Sequence, residues 1–166
     1  MGNDTHILKT LSTALVAQRR LAEAAMEQLS PMDLHWSPND ESNSVATIVK
    51  HVSGNMRSRW TDFLTTDGEK PTRDRDSEFV DDLESPEQLM RVWEEGWTVL
   101  FDTLSSLEPG QLQNKVMVNG REMSVCEAFL GQLAHYAQHV GQIIYIAKVR
   151  RGERWRTLSI PKRRPG

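Results

Sequence analysis

Apolar residues recur at intervals of three and four positions in four long segments of the chain, which is the spacing of amphipathic helices. The predicted helices begin at Asp4 or Thr5, near Asn43 or Ser44, at Ser85 and at Ser124, and the first two end near Leu29 and Leu64. No alternation of strand and helix patterns is present. The pattern therefore predicts an all-α fold, and a four-helix bundle is its natural architecture.

Two of the helix starts carry capping sequences. Ser85-Pro86-Glu87-Gln88 and Ser124-Val-Cys-Glu127 both have the Ser-x-x-Glu/Gln spacing of a capping box. Pro86 also suits the first position of a helix. We therefore expect both starts to lie where these sequences place them.

The connections between the helices differ in character. A long polar and charged stretch, residues 65–84, joins the second helix to the third and lets these two helices run parallel. Such a loop is either a solvated crossover or a functional lid, and the solvated loop is the preferred interpretation. Residues 116–123 contain Asn119-Gly120, the favoured two-residue turn, which predicts a short hairpin before the fourth helix.

The fourth helix contains twenty consecutive positions, Ala128 to Ala147, without Asp, Glu, Lys or Arg. A helix this apolar is covered on more than one side or spans a membrane. Two His and several Gln in its middle disfavour the membrane interpretation. We expect it to be the central helix of a soluble protein.

His135 and His139 lie four residues apart in this helix, so their imidazoles point to the same side. One helix presents two nitrogens to a metal ion in this way, although two His at this spacing are also common as solvated or core residues. His51, at the edge of the apolar face of the second helix, would be the third ligand if the two helices pack together. Taken alone, His51 is more often an ordinary boundary residue.

Three imidazoles leave coordination positions free, as in catalytic sites. They suit Zn, Ni, Cu or Fe, with Zn or Ni preferred. Asn55 and Gln142 each share a helix face with a candidate ligand, so they are candidates for orienting ligands or binding substrate. Arg59 is a candidate for binding an anionic group, or for a surface salt bridge.

Composition narrows the function classes. The chain has 166 residues, one cysteine and a net charge of −3, which fit a single domain, residues 1–166, without an internal disulfide. The single cysteine suits a reducing compartment, and the N-terminus has no signal-peptide pattern, so a cytoplasmic location is expected. A basic tail occupies about residues 150–166. Nucleic-acid binding through this tail is disfavoured by the overall charge.

Other chemistries have weaker support. Tyr136 stands where a zinc protease helix would carry its general-base Glu, which disfavours peptide hydrolysis of that type. Cys126, in the first turn of the fourth helix, fits a buried structural cysteine better than a nucleophile.

His51, followed far downstream by His135-x-x-x-His139-Val-Gly-Gln-Ile, resembles the pattern of the DinB/YfiT-like superfamily of metal-binding four-helix bundles. The run from Asn55 to Pro71, with Arg75-Asp76 and Glu78-Phe79 after it, and the segment 155–161 are similar to a branch of small uncharacterised bacterial proteins. The resemblance covers roughly residues 5–161.

The resemblance implies a bundle of up-down-down-up topology, often a homodimer, with His51, His135 and His139 as ligands of a divalent metal. Relatives in that superfamily are thiol S-transferases that use low-molecular-weight thiols, and others are isomerases or hydrolases. The leading hypothesis is therefore a metal-dependent transferase or hydrolase acting on a small molecule. The alternative is a non-catalytic bundle that binds metal or dimerises.

Overall fold

The structure, a computed structural model, describes residues 2–161. It is mostly helical, which confirms the all-α prediction. Its helices are α1 (Gly2–Met26), the single turn α2 (Pro31–Leu34), α3 (Val45–Trp60), α4 (Pro86–Ser106) and α5 (Val125–Arg151), and its strands are β1 (Lys115–Val118) and β2 (Arg121–Ser124). Short 3-10 turns lie at Asp76–Phe79, Pro109–Gln113 and Gly152–Arg154.

The second long helix ends earlier than its apolar pattern predicts. α3 stops at Trp60, where Thr61 is extended and Asp62 has a positive φ of 48°. Phe63 is nevertheless buried, stacked edge-on against Trp60. The apolar spacing therefore continues into a turn that packs on the core without being helical. α1 likewise ends at Met26 and not near Leu29.

The predicted caps are present, with one difference. Ser124 and Glu127 form the complete capping box at the start of α5. At the start of α4, the Ser85 hydroxyl accepts a hydrogen bond from the Gln88 backbone N–H. The Gln88 side chain, however, accepts from the backbone N–H of Glu84 and not from that of Ser85, so this box is not closed in the predicted way.

The predicted hairpin forms and anchors the long 65–84 connection. β1 and β2 pair antiparallel around Asn119 and Gly120, whose φ values of 52° and 70° suit the mirror-image turn of two-residue hairpins. The Asp67 carboxylate accepts hydrogen bonds from both turn N–H groups, and the Gly68 N–H donates to the Met117 carbonyl. The connection is thereby fixed to the hairpin at its first residues.

The long helices pack mainly as α3 on α4 and α1 on α5, with α3 also touching α5. Ser53 on α3 donates to the Val92 carbonyl, and Thr103 on α4 donates to the Trp60 carbonyl further along the same pair. Because these contacts occur in the same order along both helices, α3 and α4 run parallel, as the long connection predicted. The two backbones are close at Gly96, where an added Cβ would lie 2.8 Å from the Ser53 Cα.

α5 is covered by α1 and α3, but its third side is open. Leu130, Tyr145 and Val149 are 52%, 70% and 49% exposed. The prediction of cover on more than one side agrees with this packing. Within residues 2–161, no helix combines the length and hydrophobicity needed to cross a membrane.

Candidate metal centre

α3 and α5 bring the three predicted histidines together. The Nε2 atom of His135 lies 3.4 Å from Nε2 of His51 and 3.1 Å from Nε2 of His139. One nitrogen from each ring lies within 4.8 Å of the other two. His51 is buried and the other two are half-buried.

These spacings fit a shared metal ion. Zinc–imidazole bonds are roughly 2.0–2.1 Å long, and tetrahedral geometry then places neighbouring nitrogens about 3.3 Å apart. The observed separations of 3.4 and 3.1 Å bracket that value. The side chains are therefore already close to the positions that a common ion requires.

Hydrogen bonds to the opposite ring nitrogens favour the tautomer that a ligand needs. Nδ1 of His51 lies 3.0 Å from a Glu78 carboxylate oxygen, and Nδ1 of His139 lies 2.9 Å from the Gln142 side-chain oxygen. Both oxygens accept, so each Nδ1 carries the proton and donates it. The Nε2 lone pairs of His51 and His139 are thereby directed to the common point.

Glu78 is the principal contact that the sequence did not reveal. It is buried, and Arg73 holds it through two hydrogen bonds of 2.7 and 2.8 Å. Burial opposes its ionisation, but the hydrogen bonds from His51 and Arg73 outweigh this effect and lower the pKa of Glu78 below its usual value. The carboxylate therefore remains charged beside the histidine.

The polar 65–84 connection is thus not wholly a solvated loop: residues 74–77 are exposed, as that interpretation predicts, but Glu78 is buried and Arg73 is half-buried. Phe79 stacks on the His51 ring at 5.0 Å, and Glu78 enters the site over Gly54. A Cβ on Gly54 would lie 2.2 Å from a Glu78 carboxylate oxygen. A glycine three residues after His51, in the middle of a helix, is the signal that could have indicated an approaching side chain.

The surroundings of His135 and His139 keep these two imidazoles neutral. Burial, then the neighbouring His139 and His51, lower the pKa of His135 to about 4. Burial also lowers the pKa of His139. Neutral imidazole is the form that binds a metal, so these shifts favour ligation over protonation at neutral pH.

Of the other candidate residues, Asn55 makes a structural contact and Gln142 lines an open cavity. The side-chain oxygen of Asn55 accepts a hydrogen bond from the Tyr136 hydroxyl, which in turn accepts from the Trp60 indole N–H. Asn55 therefore ties α3 to α5 behind the histidines. Gln142 lies at the opposite side, where it contacts His139 and lines an open cavity.

This cavity, which we call the Gln142 cleft, has a volume of about 650 Å³. It lies between α5, the start of α3 and the segment after α2. Its walls include Trp36, Ile48, Tyr145 and Ile146. The cleft is therefore a largely apolar space that reaches the histidine cluster through one amide side chain.

Comparison with protein families gives one assignment. The family described as a protein of unknown function, DUF1572, matches residues 3–164, nearly the whole chain. The chain belongs to the DUF1572 family. None of the curated proteins matches it. Because the DUF1572 family has no described activity, the function of this DUF1572 protein is argued from its site.

Proposed function

We propose that this protein binds a divalent metal through His51, His135 and His139 and acts as a metal-dependent enzyme on a small molecule. The observation that carries this proposal is the position of the His135 Nε2, which lies 3.4 Å from Nε2 of His51 and 3.1 Å from Nε2 of His139, with one nitrogen of each ring within 4.8 Å of the other two. Metal ligation by these residues remains a prediction, and Zn or Ni suits the three imidazoles best.

We further infer that the chain is a DinB/YfiT-like protein with a four-helix bundle of up-down-down-up order. The three-histidine cluster and the parallel α3–α4 pair support this inference. The activity that fits best is transfer of a low-molecular-weight thiol to a small electrophile, or hydrolysis. Such an ion supplies Lewis acidity and lowers the pKa of a water or thiol that it binds.

The residues around the histidines have distinct tasks in this proposal. Glu78 orients His51 and, as an acceptor of its Nδ1–H, makes that ring a stronger ligand. Gln142 orients His139 from the side of the Gln142 cleft. The apolar walls of the cleft would hold the body of the substrate and exclude water from it.

Metal content of the purified protein tests the proposal. We expect one divalent ion per chain, lost in His139→Ala because two imidazoles hold an ion much more weakly than three. His6→Ala, at an exposed position on α1, is the matched control and should keep the metal. The metal-loaded protein is then screened against thiols paired with electrophiles, and against esters. Metal-free wild-type protein, folded and unable to take up Zn or Ni, would contradict the proposal.

We also propose that the protein forms a homodimer through the open side of α5. The exposed Leu130, Tyr145 and Val149 lie on a helix face without charged residues up to Ala147, and such faces often mark contact sites. A dimer that did not need the metal would be the non-catalytic alternative.

The cytoplasmic location stays a prediction from the single cysteine, and no nucleic-acid partner is proposed. Residues 162–166 of the basic tail lie outside the described residues.

A further inference from the structure

Arg59 is a buried cation whose hydrogen-bonding capacity is largely unused. The residue is 6% exposed, and among residues 2–161 neither its Nε nor its Nη1 has a hydrogen-bond partner. Its Nη2 lies 3.9 Å from a Glu69 oxygen, which is too long for a hydrogen bond. Burial lowers the pKa of Arg59, but a guanidinium keeps its charge in proteins. A buried charge in this state is costly unless something else binds it.

The nearby carboxylates are already engaged with other groups. Glu78 is bound by Arg73 and His51, and Glu69 accepts hydrogen bonds of 3.1 and 3.3 Å from Arg73. The Asp67 carboxylate accepts backbone N–H groups, including those of the hairpin turn. These acids therefore leave the Arg59 donors available.

Arg59 is on the face of α3 that carries His51. His51, Asn55 and Arg59 are four residues apart, which places them in one row along the helix. Eight residues correspond to about 12 Å along the axis, and helical side chains lean toward the N-terminus. For Arg59 on α3, the direction of the helix N-terminus is also the direction of His51.

Within residues 2–161, Gln132 and His135 on α5 also carry polar atoms without partners. Among the described residues, the Gln132 side-chain oxygen and Nδ1 of His135 are buried and make no hydrogen bond. Gln132 and His135 are three residues apart, so they share the face that carries His139. Buried polar atoms are normally satisfied. The unpartnered atoms on α5 therefore lie beside two of the candidate metal ligands.

Gly68 lets the 65–84 connection close over Arg59. A Cβ at this position would lie 2.9 Å from Cδ and 3.0 Å from Nη1 of Arg59. The backbone of the connection therefore covers the guanidinium closely, and only a small group would fit against it.

We propose that Arg59 binds a carboxylate of the thiol or substrate whose reactive end lies at the three histidines. This assignment rests on the proposed metal-dependent function and names the class of its ligand. The unpartnered Nε and Nη1 of Arg59 leave donors for the oxygens of one carboxylate, because Arg73 directs its own donors to Glu78 and Glu69.

Calorimetric titration of the zinc-loaded protein tests the assignment. The probes are mercaptocarboxylates from 3-mercaptopropionate to 6-mercaptohexanoate, each paired with the mercaptoalcohol of the same length. At the best length, the wild-type protein should bind the carboxylate at least about ten-fold more tightly than the alcohol, as expected for a charged hydrogen bond. Arg59→Met should abolish this advantage. Arg57→Met, which removes an exposed arginine from the same helix, should preserve it.

Thermal unfolding of the metal-free protein gives a second, independent readout. For the wild-type protein, the midpoint temperature of unfolding should be higher in sodium acetate than in sodium chloride of equal ionic strength. For Arg59→Met, the two salts should give the same midpoint temperature. In chloride, Arg59→Met should unfold at a higher temperature than wild type, because it removes an incompletely paired buried charge.

The outcomes separate the two proposals. Binding of the neutral thiols without a carboxylate advantage, or an advantage that survives in Arg59→Met, overturns the role of Arg59 and leaves the metal site standing. Failure to retain zinc, with no thiol bound by either variant, overturns the proposed function. In that case the acetate experiment still decides whether Arg59 binds a carboxylate.

Discussion

At the scale of single residues, the site depends on a carboxylate that comes from outside the long helices. Glu78 accepts the Nδ1–H of His51 while Arg73 holds both of its oxygens. This arrangement fixes the ring orientation of the one ligand that α3 supplies. The other two ligands need no such help to meet, because α5 itself spaces them one turn apart.

Replacing Glu78 by Gln tests this role. The substitution keeps the size of the side chain but removes its charge, so the bond to His51 weakens and Arg73 loses a partner. We expect the affinity for Zn to fall by about 10–100-fold, the usual effect of losing a carboxylate behind a histidine ligand, as measured by competition with a chelator. Glu84→Gln, an exposed acid in the same connection, is the control. Equal affinities for the two variants would contradict the assigned role.

His135 and His139 could be predicted from sequence because their spacing within α5 is local. His51 is 84 positions from His135, so its place as third ligand followed only from the family resemblance and from the condition that the two helices pack together. Glu78 could not be predicted, because its segment has no hydrophobic periodicity and its contact with His51 spans 27 positions. Asn55 was recognised as a candidate but lies behind the histidines, bonded to Tyr136. Sequence spacing predicts which residues share one face of a helix. It does not predict which side chain packs against that face, because this depends on the path of the 65–84 connection.

At the scale of the elements, Gly96 lets α4 lie directly against Ser53 of α3. The parallel course of these two helices follows from the length of the 65–84 connection, which the sequence showed clearly. The end of α3 did not follow from the sequence, since the apolar spacing through Phe63 continues past the positive φ of Asp62. Backbone conformation at a single residue overrides periodicity there.

Gly96→Ala should destabilise the protein. The added Cβ would lie 2.8 Å from the Ser53 Cα and 2.9 Å from its hydroxyl, and separating the helices costs about 1–3 kcal/mol. The gain in helix propensity, up to about 1 kcal/mol, offsets only part of this. Urea unfolding gives the free energy. Gly131→Ala on α5, with nothing within 4 Å of the new Cβ, is the control and should be neutral or stabilising.

Asp33 joins the short helix α2 to the end of α5, and its contribution should depend on pH. It accepts hydrogen bonds from Ser30 and from Arg150, and these, Ser30 first, lower its pKa from 3.8 despite opposing burial. A lowered folded-state pKa stabilises the protein above the unfolded value, and this stabilisation is lost as pH falls through the folded value.

Asp33→Ala should therefore reduce the free energy of unfolding by about 1–2 kcal/mol at neutral pH, the usual cost of losing a helix cap. The difference from wild type should shrink as the pH falls below about 3.8. Chemical unfolding at several pH values measures it, with Asp40→Ala, an exposed acid, as the control. A difference that stayed constant down to the lowest pH would assign the effect to packing and not to the charge.

At the scale of the whole molecule, α5 keeps an open side although twenty of its consecutive positions carry no charge. This charge-free segment predicts cover on more than one side of the helix. α1 and α3 cover only two sides, so the remaining apolar positions are exposed. Packing within the chain therefore explains why the covered positions of this segment carry no charge. Self-association would explain why the exposed positions carry none.

Leu130→Glu tests this self-association. A charge at this exposed position should not disturb the monomer but should dissociate the dimer, because its desolvation in an apolar contact is unfavourable. Sedimentation equilibrium measures the mass. Met32→Glu, at an 84% exposed position on α2, is the control and should remain dimeric. A wild-type protein that sediments as a monomer would contradict the proposed dimer.

The path of the 65–84 connection also bears on how this scaffold tolerates change. Shortening a loop between two packed helices is usually one of the milder alterations available to a helical protein. Here the same loop places Glu78 against His51, and its Asp67 accepts hydrogen bonds from the hairpin turn. At Gly68 the loop also packs closely against Arg59. Deletions in this loop would displace Glu78 and so disturb the histidines. We therefore expect the 65–84 connection, although it has little regular structure, to keep a constant length among proteins that keep this chemistry.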